Sequence, residues 1–419
     1  MAESSSPLEQ DSAAVLADAA SSRRTVHSHA LRKLWLNAHL YVGLILGGLF
    51  VLLSLTGSIL VFYKAIDEWL NPGQVTATGR GPYRPLGEIL AAVRAAHPEW
   101  TGPDSLRLPE HERDTFLAWY KLPTGAPDKF RWIEVRVDPY TAEVRSSGRE
   151  WGGTFVSFIY ELHESLLLDE LGETIVGFGA VFLLLSVGTG LYLWWPRRGR
   201  VREAFKMTPG GSAIRRHYDL HKLGGLSSAV VLFILAFTGV YLAFPDYVIA
   251  LVRLFSPVQD ASKDLRVEPI AAADPISVER AVAVAREVFP DAELKWIGFP
   301  DRDRHTGLYQ VGLRQPGEVR ITGGQSHVWI NAWTGDVVRV RDWRRFTAGE
   351  TFIAWLFPLH NGEALGLIGR WIVCVAGFAP LLLYVTALRM WWLKRRARLR
   401  QKMRPAHRPS QTSALIHSS

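Results

Sequence analysis

Four long apolar stretches, Leu34–Tyr63, Leu171–Trp195, Leu223–Phe244 and Ile368–Leu393, constrain this chain more than any other feature. Each is long enough to cross about 30 Å of hydrocarbon, which takes about 20 helical residues. A bilayer interior offers no partner to a free backbone N–H or C=O, so each stretch is expected to be a transmembrane helix. A hydrophobic share of 48% agrees with that assignment.

Basic residues set the expected orientation. The stretch Pro196–Lys222 carries 8 Lys/Arg against 2 acids and Leu393–Ser419 carries 8 against none, whereas 64–165 has 12 against 15 and 245–360 has 14 against 15. Lys and Arg accumulate in cytoplasmic loops, which puts both termini and the middle loop inside and the two long segments outside. The division that follows is a cytoplasmic arm (1–30), a first span (31–63), an outer module (64–165), a second span (166–195), a basic loop (196–216), a third span (217–244), a second outer module (245–358), a fourth span (359–393) and a basic tail (394–419). The net charge of +8 is then a mark of topology, and no nucleic-acid partner is expected.

The Ser/Ala-rich first 30 residues lack an apolar core, so they read as a disordered arm and not as a cleaved signal. Trp194/Trp195 and Trp391/Trp392 close two spans where an aromatic belt belongs. The single cysteine, Cys374, excludes disulfides, iron–sulfur clusters and thioether-attached haem.

The chain repeats internally. "HLYVG" at His39–Gly43 is followed by Thr56–Gly57, and "HKLGG" at His221–Gly225 by Thr238–Gly239, histidine to threonine being 17 residues both times. "LH" at His163, Thr189–Gly190 and Trp194–Trp195 recur at an offset of 197 as "LH" at His360, Thr386–Ala387 and Trp391–Trp392. The outer segments repeat too: "PLGEILAAVRAAHP" (85–98) matches "PISVERAVAVAREVFP" (275–290) as a helix, and "RWIEVRVDPYTAEV" (131–144) matches "HVWINAWTGDVV" (327–338) as alternating strand and turn. The fold expected is an α-helical membrane protein, a four-helix bundle of two parallel repeats with two outer α+β modules, related by a pseudo-twofold axis along the membrane normal.

Under that symmetry His39 meets His221 in the cytoplasmic leaflet and His163 meets His360 near the outer surface. Two opposed imidazoles in a helical core suit the axial positions of haem, so two non-covalent b-type haems are expected. In each imidazole one nitrogen ligates and the other needs an acceptor such as a backbone carbonyl. Gly43 and Gly225 lie one turn deeper on the same face, where a porphyrin can lie against bare backbone. Zinc or copper fits less well, because structural zinc takes four ligands and each layer has two. His217 shares a face with His221 and is either a contact to a haem propionate or an alternative ligand. Glu173 and Arg370, equivalent at the 197 offset, either pair with each other or leave Arg370 to a propionate. His97, His111, His305 and His327 read as surface residues.

The H-x-x-x-G…T-G helices, the "LH" before the second and fourth spans, "GLYLWWPRR" and "DPYTAEV" together resemble the PepSY-associated transmembrane family over roughly residues 30–397. Members include bacterial inner-membrane ferric-siderophore reductases of the FoxB type. The resemblance implies periplasmic PepSY-like outer modules, b-type haem, and His39, His163, His221 and His360 as its ligands. Ala387 departs from the pattern in the final T-G position. The function implied is electron transfer from an unidentified cytoplasmic or membrane donor, entering beside His39/His221 and leaving beside His163/His360 to a periplasmic ferric siderophore, which releases Fe(II) for uptake. Seventeen helical residues span about 25 Å, so a single site would leave much of the bilayer unbridged. Rival readings are a haem-bearing subunit serving a quinol or a flavoprotein, a non-redox PepSY sensor or protease regulator, and a metal-ion transporter. The chain has no nucleotide-binding G-x-G-x-x-G after a strand, so its donor is external.

Overall fold

The computed structural model describes residues 30–124, 130–196, 201–259, 265–268, 270, 274–300 and 307–402. The proposed arm up to residue 29, the tail beyond 402 and His305 lie outside the described residues.

Three helical stretches are long and apolar enough to cross a membrane, Asp169–Trp194 (α7), Ala213–Ala243 (α9) and Glu363–Lys402, which contains α13 (Gly366–Ala376) and α14 (Ala379–Lys402). A fourth span exists if Ala30–Ile45 (α1) and Gly47–Leu60 (α2), bent by 60° at the break between them, are taken together. Glycines rather than proline mark this kink. A Cβ on Gly47 would lie 2.2 Å from the Tyr384 ring, so only glycine admits the tyrosine there. Ile45, Val230 and Ile368 are 75%, 71% and 72% exposed, a degree of bare apolar surface that calls for lipid.

Shorter helices flank the spans: α3 (Tyr63–Leu70), α4 (Pro72–Val75), α8 (Val201–Ala204) and α10 (Pro245–Arg253). Two others, α6 (Phe155–Glu164) and α12 (Ala348–His360), precede α7 and α13 and begin with capping boxes, Thr154/Ser157 and Thr347/Glu350. Each box satisfies two N–H groups that a helix start leaves unpaired. Pro358 inside α12 cannot donate to the Ala354 carbonyl four residues back, and the Gln325 side chain supplies that bond at 2.8 Å.

Eight strands form the rest: β1 (Ser105–Arg107), β2 (Phe116–Pro123), β3 (Phe130–Val137), β4 (Val144–Glu150), β5 (Glu293–Gly298), β6 (Leu308–Arg314), β7 (Ser326–Asn331) and β8 (Val337–Arg341). The helix and strand motifs read at 85–98, 275–290, 131–144 and 327–338 are present as α5 (Leu86–Ala96), α11 (Val278–Val288), β3–β4 and β7–β8. The strands of the two outer modules join in one antiparallel sheet, in the order β4-β3-β2-β1-β5-β6-β7-β8. The seam is β1 against β5, with Leu106 opposite Ile297.

Alternation in the strands assigns the two faces. Leu106, Ala118, Ile297 and Val328 are wholly buried in one core with Ile89 and Val93 of α5 and Ala281 and Ala285 of α11. Full burial of each such valine, leucine or isoleucine contributes about 1.5–3 kcal/mol. Arg107, Trp119, Trp296 and His327 alternate with these and project from the opposite face.

The chain divides into two compact units, one of Met1–Val51, Leu185–Ala229 and Ala379–Ser419, the other of Leu52–Leu184 and Val230–Phe378. The second holds the whole sheet.

Candidate functional site

Each unit contains one pair of facing histidines. In the first, His39 of α1 and His221 of α9 have ring centroids 6.2 Å apart and planes at 86°. In the second, His163 near the end of α6 and His360 at the end of α12 are also 6.2 Å apart, with planes at 55°. His221, not His217, is the residue that faces His39.

The Nδ1 atoms are held alike. His39 Nδ1 lies 3.0 Å from the Ser186 carbonyl and 3.1 Å from Thr189 Oγ1. His163 Nδ1 lies 3.0 Å from both the Leu53 carbonyl and Thr56 Oγ1. His221 Nδ1 is 3.0 Å from the Leu383 carbonyl and 3.1 Å from Thr386 Oγ1. His360 Nδ1 is 2.9 Å from Thr238 Oγ1, with the Leu235 carbonyl as a second partner.

These contacts decide the tautomer. A carbonyl only accepts. Each threonine hydroxyl is already committed as a donor to a carbonyl one turn back: Thr56 to Leu52 at 2.9 Å, and Thr189 to Leu185, Thr238 to Ile234 and Thr386 to Leu382 at 2.7 Å. Nδ1 must therefore carry the proton in all four rings, which leaves every Nε2 a bare lone pair.

The sequence marked the T-G pairs only as repeat signposts. Here each threonine anchors a histidine from elsewhere in its own repeat: Thr189 holds His39, Thr56 holds His163, Thr386 holds His221 and Thr238 holds His360. The following glycine clears the edge of the same ring. A Cβ on Gly57 would lie 3.0 Å from His163 Cε1, on Gly190 3.1 Å from His39 Cε1, and on Gly239 3.7 Å from His360 Cε1. Equal spacing in both halves was the available signal, but which helices pack together is not written in it.

Other residues named from the sequence fall as follows. Among the described residues, a Cβ added to Gly43 would meet nothing within 4 Å and one on Gly225 a Leu383 methyl at 3.6 Å, which leaves these two helix faces open. His217 Nδ1 is buried and has no hydrogen-bond partner among the described residues, one turn from His221. No ion pair joins Glu173 to Arg370 among the described residues, and the half-buried Arg370 guanidinium has none there. Glu164, next to His163, is pushed up to about 7 by burial and by the charges of Glu161 and Glu173. Of the presumed surface histidines, His111 is exposed, but two are not free at the surface. His97 stacks on Trp100 at 3.6 Å, and His327 is half-buried between Trp296 and Trp329 on the strand face opposite the helical core.

A metal–imidazole bond of about 2.0 Å, with about 1.15 Å more from nitrogen to ring centre, puts trans-ligating imidazole centroids about 6.3 Å apart. Both pairs have that spacing, bare Nε2 atoms and anchored Nδ1–H groups. Among the described residues no three His, Cys, Asp or Glu side chains converge as a metal site. Two ligands are the number an axially bound haem takes. No curated protein matches the chain. The family model for the PepSY-associated TM region matches residues 36–394.

Proposed function

Because the chain belongs to the PepSY-associated transmembrane family, we propose that it is a four-span inner-membrane protein of two parallel repeats that carries electrons from a cytoplasmic or membrane donor to a periplasmic ferric siderophore. Both termini face the cytoplasm in this reading, and the sheet, made of two PepSY-like halves, faces the periplasm. The observation that carries it is the twice-repeated imidazole pair, 6.2 Å between centroids with Nδ1 committed as donor.

His39 and His221 would hold one b-type haem and His163 and His360 another, each through Nε2. Haem, when bound, supplies one-electron chemistry at a potential set by its axial ligands and their partners. The chain's own groups do the rest. Donation from Nδ1–H to a carbonyl and a threonine fixes each ring's rotation and makes Nε2 a stronger donor. Gly43 and Gly225 would leave bare backbone for a flat macrocycle to rest against, and His217 Nδ1 would be available to a propionate. Fe(III) in the chelate is substrate: on accepting one electron it becomes Fe(II), which hard oxygen donors hold less tightly.

Inverted vesicles, with the cytoplasmic face outward, test this directly. They are loaded with an impermeant ferric chelate and ferrozine, and reduced flavin mononucleotide is added outside. Fe(II)–ferrozine colour should form inside and fall about tenfold or more with His39→Ala or His360→Ala. Equal rates in the variants, or in vesicles without the protein, would remove the reading.

A further inference from the structure

On the sheet face opposite α5 and α11 there is a cavity of about 240 Å³ that straddles the β1–β5 seam. Arg107 of β1 and Trp119 of β2 come from one half of the sheet; Trp296 of β5, Arg320 and His327 of β7 come from the other. Neither half makes the cavity alone.

Its walls are fixed. A Cβ on Gly312 would lie 2.0 Å from Trp296 Nε1, so the indole lies flat on that glycine, and Nε1 donates to the Gly323 carbonyl at 3.1 Å. His327 meets the Trp296 ring edge-on at 5.6 Å. Gly324, at φ +70°, takes a left-handed conformation and packs its Cα side against the Leu313 carbonyl.

The cavity is cationic. No carboxylate lines it, and Arg107 has no acidic partner among the described residues. Arg320 donates through Nε to the Thr322 carbonyl at 2.9 Å and lies over the Phe357 ring at 4.8 Å. The carboxylate felt by Arg320, Glu363, is buried and takes a 2.6 Å bond from Thr322 Oγ1. Arg341, paired with His327 across β7–β8, adds a third guanidinium nearby.

Two contacts tie the cavity to the helices carrying the second histidine pair. Phe357, under Arg320, lies three residues before His360 and so on the same face of α12. On the other side, Trp119 touches Trp151 at 5.3 Å, and Trp151 touches Tyr160 of α6 at 5.2 Å, three residues before His163.

We infer that this cavity is the binding site for an anionic oxygen-donor metal chelate, with Arg107 and Arg320 forking its oxygens and Trp119 and Trp296 flanking its planar arm. Guanidinium forks match carboxylate and similar oxygen pairs, and indole faces take unsaturated carbon. The volume suits one arm of such a chelate, its body resting outside. The inference rests on the proposed ferric acceptor for its biology, while its chemistry stands on the cavity.

The test is calorimetric titration of the purified full chain with gallium(III) citrate, a redox-inert stand-in, with sodium citrate as control and haem counted per chain in every sample. Binding should be seen, should weaken with added salt, and should weaken about tenfold or more with Arg107→Gln and with Arg320→Gln at unchanged haem content. Arg107 is exposed, so its substitution does not threaten folding even if that of Arg320 does. No binding, binding indifferent to both substitutions, or loss of haem with gallium affinity unchanged would overturn the inference; the last result would assign the guanidiniums to cofactor carboxylates. A haem-free chain that still bound gallium citrate through the arginines would leave the site standing and retire the electron-transfer reading.

Discussion

His39 and His221 sit within the long helices α1 and α9, whereas His163 and His360 close the short helices α6 and α12. The bonds are nevertheless the same: a carbonyl and a threonine at each Nδ1, and 6.2 Å between rings. The support differs. Around the first pair the faces at Gly43 and Gly225 are open, while the second pair hangs on tight links into the next helix. A Cβ on Gly172 would lie 1.5 Å from the Ser165 carbonyl, and one on the equivalent Gly369 2.2 Å from the Gly362 carbonyl. The sheet reaches the second pair's helices through Gln325 on Ala354, Arg320 on Phe357 and Trp151 on Glu161. The placing of each imidazole therefore follows from its threonine partner, and the surroundings decide which distant changes each pair feels.

The largest effect expected is from Gly172→Ala, whose new methyl overlaps backbone. It should cost about 3 kcal/mol or more, lowering the thermal midpoint and removing haem from His163/His360 while the His39/His221 signal persists. Equal loss from both sites would erase the distinction between the supports. Gly43→Ala is the converse probe: a methyl in open space within a helix should not lower the melting temperature of the haem-free chain, and should raise it by the helix propensity of alanine, while it lowers haem loading at His39/His221, as read by haem per chain.

Thr56→Val and Thr189→Val each remove one of the two acceptors of an Nδ1–H, at about 1 kcal/mol each. Paired redox titrations should show the potential of the matching site alone moving. A pH effect confined to the sheet should come from His327, which burial, then Arg341 and Arg320, lower from 6.5 to about 3. The unfolded chain then binds that proton more readily than the folded one. Stability is full above the unfolded value and is lost as pH falls from about 6.5 toward 3. His327→Gln should flatten that acid limb in thermal melts. The smallest effect expected is from Asp169→Gly. Asp169 has φ +49° where the second repeat has Gly366 at φ +60°, so relief of the left-handed backbone is set against the interactions of the Asp169 side chain at the start of α7, and the net change in the same assay should stay within about 1 kcal/mol.

Much of this was legible in the sequence. The apolar stretches, the strand pairs at 131–144 and 327–338, and the four histidines stand out because hydropathy and repeat spacing are local signals. The crosswise use of Thr56 and Thr189 was hidden, since it depends on which helices pack. So was the β1–β5 seam, because pairing between repeats leaves no periodic trace. His327 looked like a surface residue because alternation names a strand's faces without saying what covers each. The packing of Tyr384 on Gly47 was hidden as well, because the two lie more than three hundred positions apart.

The proposed function requires two bis-histidine haem sites in one chain. A dithionite-reduced minus oxidised absorbance spectrum of the purified protein, with haem quantified per chain, would show whether they exist. Sharp low-spin b-type bands are expected at about two haems per chain, halved by His39→Ala and by His360→Ala separately. A chain expressed with ample haem that shows no such bands would contradict the proposal.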